Sequence, residues 1–357
     1  MSQYHSPPPD NPTARWWQHD RHADRRPLLV LRGRIKTALR AYFEAQAFVE
    51  VEPGALQVSP GNEAHLHAFA TTYRDDLGRR QPLYLHTSPE FAMKKLLAAG
   101  ERRIFAFAPV YRNREASARH APEFTMLEWY RADEDYARIA EDCLAIVSTA
   151  ATVTETATWT FAGHSAAPGA PALRVAVAEA FATFASIDLL ATLAGPQADR
   201  DALAHQVAAS GIRVADDDTW SDLFSRVLVE RVEPALATHR APVLLTEYPS
   251  HEAALARPTA HDPRVAERFE MYVAGLELAN CFGELTDPAE QRRRFEAEMA
   301  EKQRVYGERY PIDEDFLAAL AHMPAASGGA LGFDRLVMLA GGASHIAQVQ
   351  WTPLALG

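Results

Sequence analysis

Apolar and polar positions alternate with clear periods over most of this chain. From Gly33 to Phe48, Ile35, Leu39, Tyr42 and Phe43 recur at helical spacing with Arg and Lys between them, which predicts an amphipathic helix. It runs into "FVEVEP", a short alternating strand closed by Pro53. In "PLYLHTSPEFAMKKLLAAG", Leu83 and Leu85 alternate with Tyr84 and His86 as in a strand. Thr87 or Ser88 then caps a helix, with Pro89 at its first position, Glu90 in its first turn and Gly100 at its end. "RIFAFAPVYRN" is a strand, a polar and basic loop follows, and "FTMLEWYR" returns as a second strand.

The pattern changes near residue 150. "TATVTETATWTFAGHSAAPGAPA" is poor in charge and rich in Thr, Ala, Gly and Pro, and predicts a linker with one strand. Residues 173 to 240 read as helical. Trp220, Leu223, Phe224, Val227, Leu228 and Val232 form one stripe, stopped at Pro234. "APVLLTEYP" is a strand, and "RFEMYVAGLELANCFGEL" is a hairpin turning at Ala274-Gly275. Residues 287 to 309 form a highly charged helix, and "GGALGFDRLVMLAGG" is a glycine-rich strand entering a helix. Ahead of all this, residues 1 to 26 are Pro-rich and polar. They predict an extended arm pinned by Trp16 and Trp17, followed by one body over residues 27 to 357 with the helical insertion at 150 to 240.

Composition narrows the class. The chain has 357 residues, 48% of them apolar, enough for an ordinary core. Its net charge of -11 disfavours tRNA as an obligatory partner, because an acidic surface repels phosphate. Cys143 and Cys281 are far apart and form neither a CxxC unit nor a disulfide framework, which fits a reducing cytoplasm. No apolar run is long enough to span a bilayer, and the N-terminus lacks the apolar stretch of a signal peptide.

The chemistry concentrates in Val110 to Arg131, "VYRNREASARHAPEFTMLEWYR". Arg112 closes a strand, and a planar, permanently charged guanidinium there can hold a phosphate and a carboxylate together. Glu128 sits inside an apolar strand, where an unpaired charge is costly without a cationic ligand. A hairpin turning at Ala274-Gly275 pairs Tyr272 with Glu277, so Glu270 and Glu277 share a face suited to a hard cation. His65 and His67 also share a strand face, but no third metal ligand accompanies them.

The strings "VYRNREASARHAPEFTMLEWYR" and "GALGFDRLVML" resemble motifs 2 and 3 of the class II aminoacyl-tRNA synthetases, in their lysine-type version. The helix, strand and Pro53 are similar to motif 1, which in that family lies at a dimer interface. The likeness covers residues 30 to 355. It implies an α+β fold: an antiparallel catalytic sheet flanked by helices, with a small helical insertion between motifs 2 and 3, and a homodimer. It also implies ATP and Mg2+ as cofactors. Arg112 and Arg335 are then catalytic, holding the α- and γ-phosphates. ATP is contacted by Arg112, Asn113, Arg114, Glu115, His120, Ala121, Phe124, Glu277, Leu278, Gly332 and Arg335, with Arg119 and His120 reaching the β- or γ-phosphate. Ser88, Pro89, Glu90, Glu128, Tyr130, Glu284 and Ala330 form the amino-acid pocket, and Glu270 and Glu277 hold the metal.

Two features point to a paralogous branch of that family whose acceptor is elongation factor P. The residues ahead of the motif 1 helix are too few for the OB-fold that reads an anticodon. Ala330 also stands where the synthetases have glycine, and its methyl crowds the amine of an α-amino acid. The resemblance therefore implies (R)-β-lysine in preference to lysine, activated as an adenylate and passed to a protein lysine. One departure stands out. The family has glutamate where this chain has Arg114, and asparagine where it has Ala121. Either Glu115, one place later, serves adenine, or backbone does, or ATP is held weakly. Transfer to tRNA or another amine, and a non-catalytic amino-acid sensor, are the alternatives.

Overall fold

A computed structural model describes residues 15–193 and 198–355. Its centre is an eight-stranded sheet in the order Val49–Glu50, Arg103–Tyr111, Glu123–Ala132, Ala326–Gly332, Leu276–Gly283, Arg268–Val273, Val243–Thr246 and Leu173–Ala176. The six central strands pair antiparallel, and each edge strand adds a parallel pairing. One face of this sheet packs on the helices His19–Glu44, Tyr136–Thr154 and Phe333–Ala340. Its apolar side chains alternate with those of the open face, so Leu127, Trp129 and Leu331 enter the core while Met126, Glu128 and Ala330 face the other way. Arg131 is buried on the core side, and a two-pronged bond to Asp142 (2.7 and 2.8 Å) ties the second motif 2 strand to the helix beneath it.

The hairpin turns where its sequence requires. Ala274 and Gly275 both have positive φ, 51° and 74°, and Tyr272 pairs with Glu277. A bulge between Met271 and Tyr272 shifts the register, leaving Leu278 without a partner in it. The glycines of the neighbouring strand Ala326–Gly332 are there for close approach. A Cβ on Gly328 would lie 2.4 Å from the Tyr130 ring, and one on Gly329 would lie 2.8 Å from both Cys281 and Trp129.

Several expectations need correction. The first helix begins at His19, not Gly33, and carries Pro27 inside it, so residues 19 to 26 are helix rather than extended arm. The apolar face spans the whole of it, with Arg25, Leu29, Ile35, Leu39 and Phe43 buried. Trp16 lines a surface groove near the C-terminus whereas Trp17 is exposed, and residues 1 to 14 of the expected arm lie outside the described residues. Pro89 is the N-cap of the helix Glu90–Ala98 rather than its first residue. The linker near 150 starts later, because the helix Tyr136–Thr154 continues through it. It holds a two-stranded hairpin, Trp159–Phe161 with His164–Ala166. The segment from 173 opens with a strand that joins the central sheet; its helices then bury their own cluster around Phe181, Trp220 and Phe224. Pro234 does not stop the stripe: a π-turn over Leu228–Val232 leads into a short helix that accepts proline in its first turn. Cys143 and Cys281, far apart in sequence, have Sγ atoms 3.6 Å apart and remain free thiols.

Candidate active site

The open face of the sheet carries a cleft of about 290 Å³, walled by the motif 2 loop, the hairpin and the glycine-rich strand. Arg112 and Arg335 both line it. Arg112 leaves the end of its strand, donates to the Thr87 carbonyl at 3.3 Å and stacks 5.3 Å from the Phe124 ring. Arg335 projects from the helix after the glycine strand. It donates to the Glu277 carbonyl at 3.0 Å, approaches the Glu277 carboxylate at 3.4 Å and lies 2.7 Å from Nε2 of His120. Burial, together with Arg335, Arg119 and Arg112, holds His120 down to about 4. The imidazole is therefore neutral near pH 7 and accepts from Arg335, while Nδ1 pairs with Ser117 Oγ at 2.8 Å. The result is a cationic half of the cleft, suited to a polyphosphate.

The other half is acidic and buried. Glu128 is 1% exposed; Ser88 donates to one oxygen at 2.6 Å and Tyr130 to the other at 2.7 Å. Ser88 Oγ also accepts from the Glu90 N–H at 3.3 Å, so one hydroxyl links helix start and strand. Burial and then the Glu90 charge push Glu128 up to about 8. Glu284, equally buried, faces Lys94 at 2.6 Å, but neither of its carboxylate oxygens receives an aligned hydrogen bond. Lys94 also holds Glu90, at 2.5 Å. Burial works against the Lys94 ammonium, but Glu284 and Glu90 outweigh it and keep it charged. Burial raises Glu284 above the ordinary carboxylate range, with Lys94 pulling the other way. Three carboxylates and one internal ammonium leave an excess of two negative charges once all are ionised. A guest with two ammonium groups balances it, and Glu284, which meets Lys94 through one oxygen, offers one of them a seat.

The structure brings together most of the residues the motifs picked out. Ser88, Glu90, Glu115, His120, Ala121, Phe124, Glu277, Leu278, Ala330 and Gly332 line the cleft with the two arginines. Glu128, Tyr130 and Glu284 are buried among them, with Ala330 directly opposite Glu128 in the strand register. Pro89, Asn113, Arg114 and Glu270 do not line it. Asn113 is bridged to His67 through its backbone. Arg114 has φ +65° and points away, ion-paired to Glu308 beside the Tyr306 ring. That leaves Glu115 as the loop acid on the cleft wall. Glu270 shares a face with Tyr272, as expected, but Arg268 and Tyr272 each donate to it at 2.6 Å. His65 and His67 are bound to Tyr306 (3.0 Å) and Glu308 (3.1 Å), and no group of three metal-binding side chains occurs among the described residues.

Motif reading missed Lys94, Asn280, Arg268 and Glu63. Lys94 had a visible signal, because it follows Glu90 by four positions on one helix face. Asn280 lines the cleft and accepts from Arg268 at 3.2 Å. Glu63 also lines it, from a segment with no motif.

The family described as "tRNA synthetases class II (D, K and N)" matches residues 11–355. The chain is similar to a protein of Haemophilus ducreyi named elongation factor P--(R)-beta-lysine ligase. The two are 37% identical over 326 residues, 90% of this chain and 92% of that one. A Pasteurella multocida protein of the same name is 38% identical over 327 residues, covering 90% and 93%. One from Vibrio vulnificus is 34% identical over 323 residues, covering 89% and 93%.

Proposed function

The chain belongs to the class II tRNA synthetases (D, K and N), and from that premise we propose that it activates (R)-β-lysine with ATP and transfers it to a lysine side chain of elongation factor P. The observation that carries this reading is the split cleft. Arg112 and Arg335 stand on one side, and the buried Glu128, Glu284 and Glu90 with Lys94 on the other. A diamino acid seats its two ammonium groups among those acids, which leaves its carboxylate directed towards Arg112. That carboxylate attacks the α-phosphate of ATP and pyrophosphate leaves. Arg112 neutralises the crowded oxygens, and Arg335, oriented by neutral His120 and Glu277, holds the far end of the triphosphate. Ala330, opposite Glu128, crowds the pocket where an α-amine would sit and favours an amine one carbon along.

Mg2+ fits the acidic corner beside Arg335. Glu277 is raised above the ordinary carboxylate range, by burial and then by the charge of Glu270, and burial followed by the charges of Glu270 and Glu277 raises Glu233. These mutually repelling carboxylates favour a cation. With no group of three metal-binding side chains among the described residues, the corner suits an ion whose remaining positions would be filled by phosphates and water. Glu277 would hold it, with Glu270, steadied by Arg268 and Tyr272, behind. Bound there, Mg2+ supplies charge neutralisation at the phosphates. Glu115 replaces the missing motif 2 acid towards adenine. The exposed Val30 and Val49 on the motif 1 helix and strand favour a homodimer through that face. The net charge of -11 argues against tRNA as acceptor. No helix among the described residues is long and apolar enough to cross a membrane.

Incubation with ATP, Mg2+, (R)-β-lysine and elongation factor P should raise the acceptor mass by one lysyl unit. An unchanged mass alongside strong β-lysine-dependent pyrophosphate exchange would overturn the acceptor. No exchange with any amino acid would make the chain a sensor rather than an enzyme.

A further inference from the structure

Transfer to a protein amine poses a problem that the residues described so far do not solve. A lysine ammonium has a pKa of about 10.4, so near neutral pH only about one in a thousand is an uncharged nucleophile. The acids around the amino-acid pocket are already engaged: Glu128 with Ser88 and Tyr130, Glu90 and Glu284 with Lys94, Glu270 with Arg268 and Tyr272. Glu63 is different. It is half-buried, lines the main cleft beside Ser88 and Arg112, and also lines a narrow recess behind it between Pro60 and Thr87. Among the described residues nothing donates a hydrogen bond to its carboxylate.

We propose that Glu63 is the catalytic base of the transfer step, the carboxylate that takes the proton from the incoming protein amine. This rests on the two-step reading above. Its position is given by the cleft, whose wall it shares with Ser88 and Arg112. After burial, the largest influence on Glu63 is the opposite charge of Arg112, the group placed at the α-phosphate. Burial, with Glu90 and Glu298, outweighs Arg112 and brings it to about 7. A base at that point is substantially ionised at neutral pH, yet basic enough to accept a proton.

The step balances. The acceptor R–NH3+ gives one proton to the Glu63 carboxylate. The freed amine attacks the acyl carbon, a C–N bond forms and the C–O bond to the phosphate breaks. The second N–H proton leaves on the departing phosphate oxygen, giving the amide, neutral Glu63 and AMP as its monoanion. Glu63 then returns its proton to water.

The experiment is a single-turnover partition. Enzyme loaded with ATP, Mg2+ and β-lysine is mixed with either elongation factor P or hydroxylamine, which is already an uncharged nucleophile at pH 7. In Glu63→Gln, transfer to the protein amine should fall ~100-fold or more relative to hydroxylamine capture. Glu63→Asp should recover part of it. The wild-type transfer rate should climb through about pH 7, and that inflection should vanish in Glu63→Gln. An unchanged partition in Glu63→Gln, or a raised amino-acid KM with the partition intact, overturns the assignment. If wild-type enzyme forms no adenylate at all, the two-step reading fails with it. An adenylate that forms and partitions equally sinks this assignment alone.

Discussion

Lys94 and Glu284 meet at 2.6 Å with both side chains withdrawn from water, and the same ammonium reaches Glu90 at 2.5 Å. A buried ion pair rarely adds net stability over apolar packing, but breaking one side of it is costly. Lys94→Met should therefore destabilise the protein by about 3–5 kcal/mol. Thermal unfolding should show a Tm lower by roughly 5–10 °C, and β-lysine-dependent exchange should be lost. Equal melting curves would mean the two acids are simply protonated and Lys94 holds nothing in place.

Binding of the diamino acid should release protons. In the empty pocket Glu128 sits at about 8 because burial and Glu90 disfavour its charge. At pH 7 it is mostly protonated, and an arriving ammonium ionises it. Affinity should rise as pH climbs from 6 towards 8.5. The empty protein should behave oppositely: an acid whose folded pKa lies above its unfolded value of ~4.3 loses stability as pH rises between the two. Titration calorimetry at pH 7 in buffers of different ionisation enthalpy measures the released protons directly. No buffer dependence would contradict the picture.

Arg335→Ala removes a cation that lies 2.7 Å from His120 and approaches Glu277. Pyrophosphate exchange should drop ~100-fold or more, with a raised KM for ATP. The His120 imidazole should also titrate higher than about 4, since one of the charges holding it down is gone. NMR titration of the ring reads that shift without turnover. An unmoved His120 in a folded variant would place the side chain elsewhere.

Gly328→Ala and Gly332→Ala should separate packing from ligand contact. A Cβ on Gly328 falls 2.4 Å from the Tyr130 ring and 2.8 Å from Glu284 Oε1. That variant should lose about 1–3 kcal/mol of stability and its amino-acid site together. A Cβ on Gly332 meets only Arg335 side-chain atoms, at 3.5 Å or beyond. Its stability should hold while KM for ATP rises, because the crowding appears only when adenine approaches the strand. Comparing Tm with ATP KM in the two variants tests the distinction.

Local signals in the sequence settled much of this protein. Strand alternation and turn residues gave the hairpin, its register at Tyr272 and Glu277, and the strand–loop–strand that carries Arg112. These depend on periods of two and on residues that tolerate positive φ, and both are written in neighbouring positions. Burial of Glu128 was legible too, because an acid inside "MLEWY" has no exposed alternative.

What the sequence could not decide was meeting across distance. Lys94 bridging Glu90 and Glu284, Cys143 beside Cys281, and Glu63 beside Arg112 all depend on how separate segments pack. The fate of Arg114 was equally hidden. Its positive φ and its partner Glu308, far along the chain, turn it out of the cleft and leave Glu115 on the wall. A charged side chain goes where a counter-charge and a permitted backbone angle coincide, and only the folded chain brings those two conditions to one place.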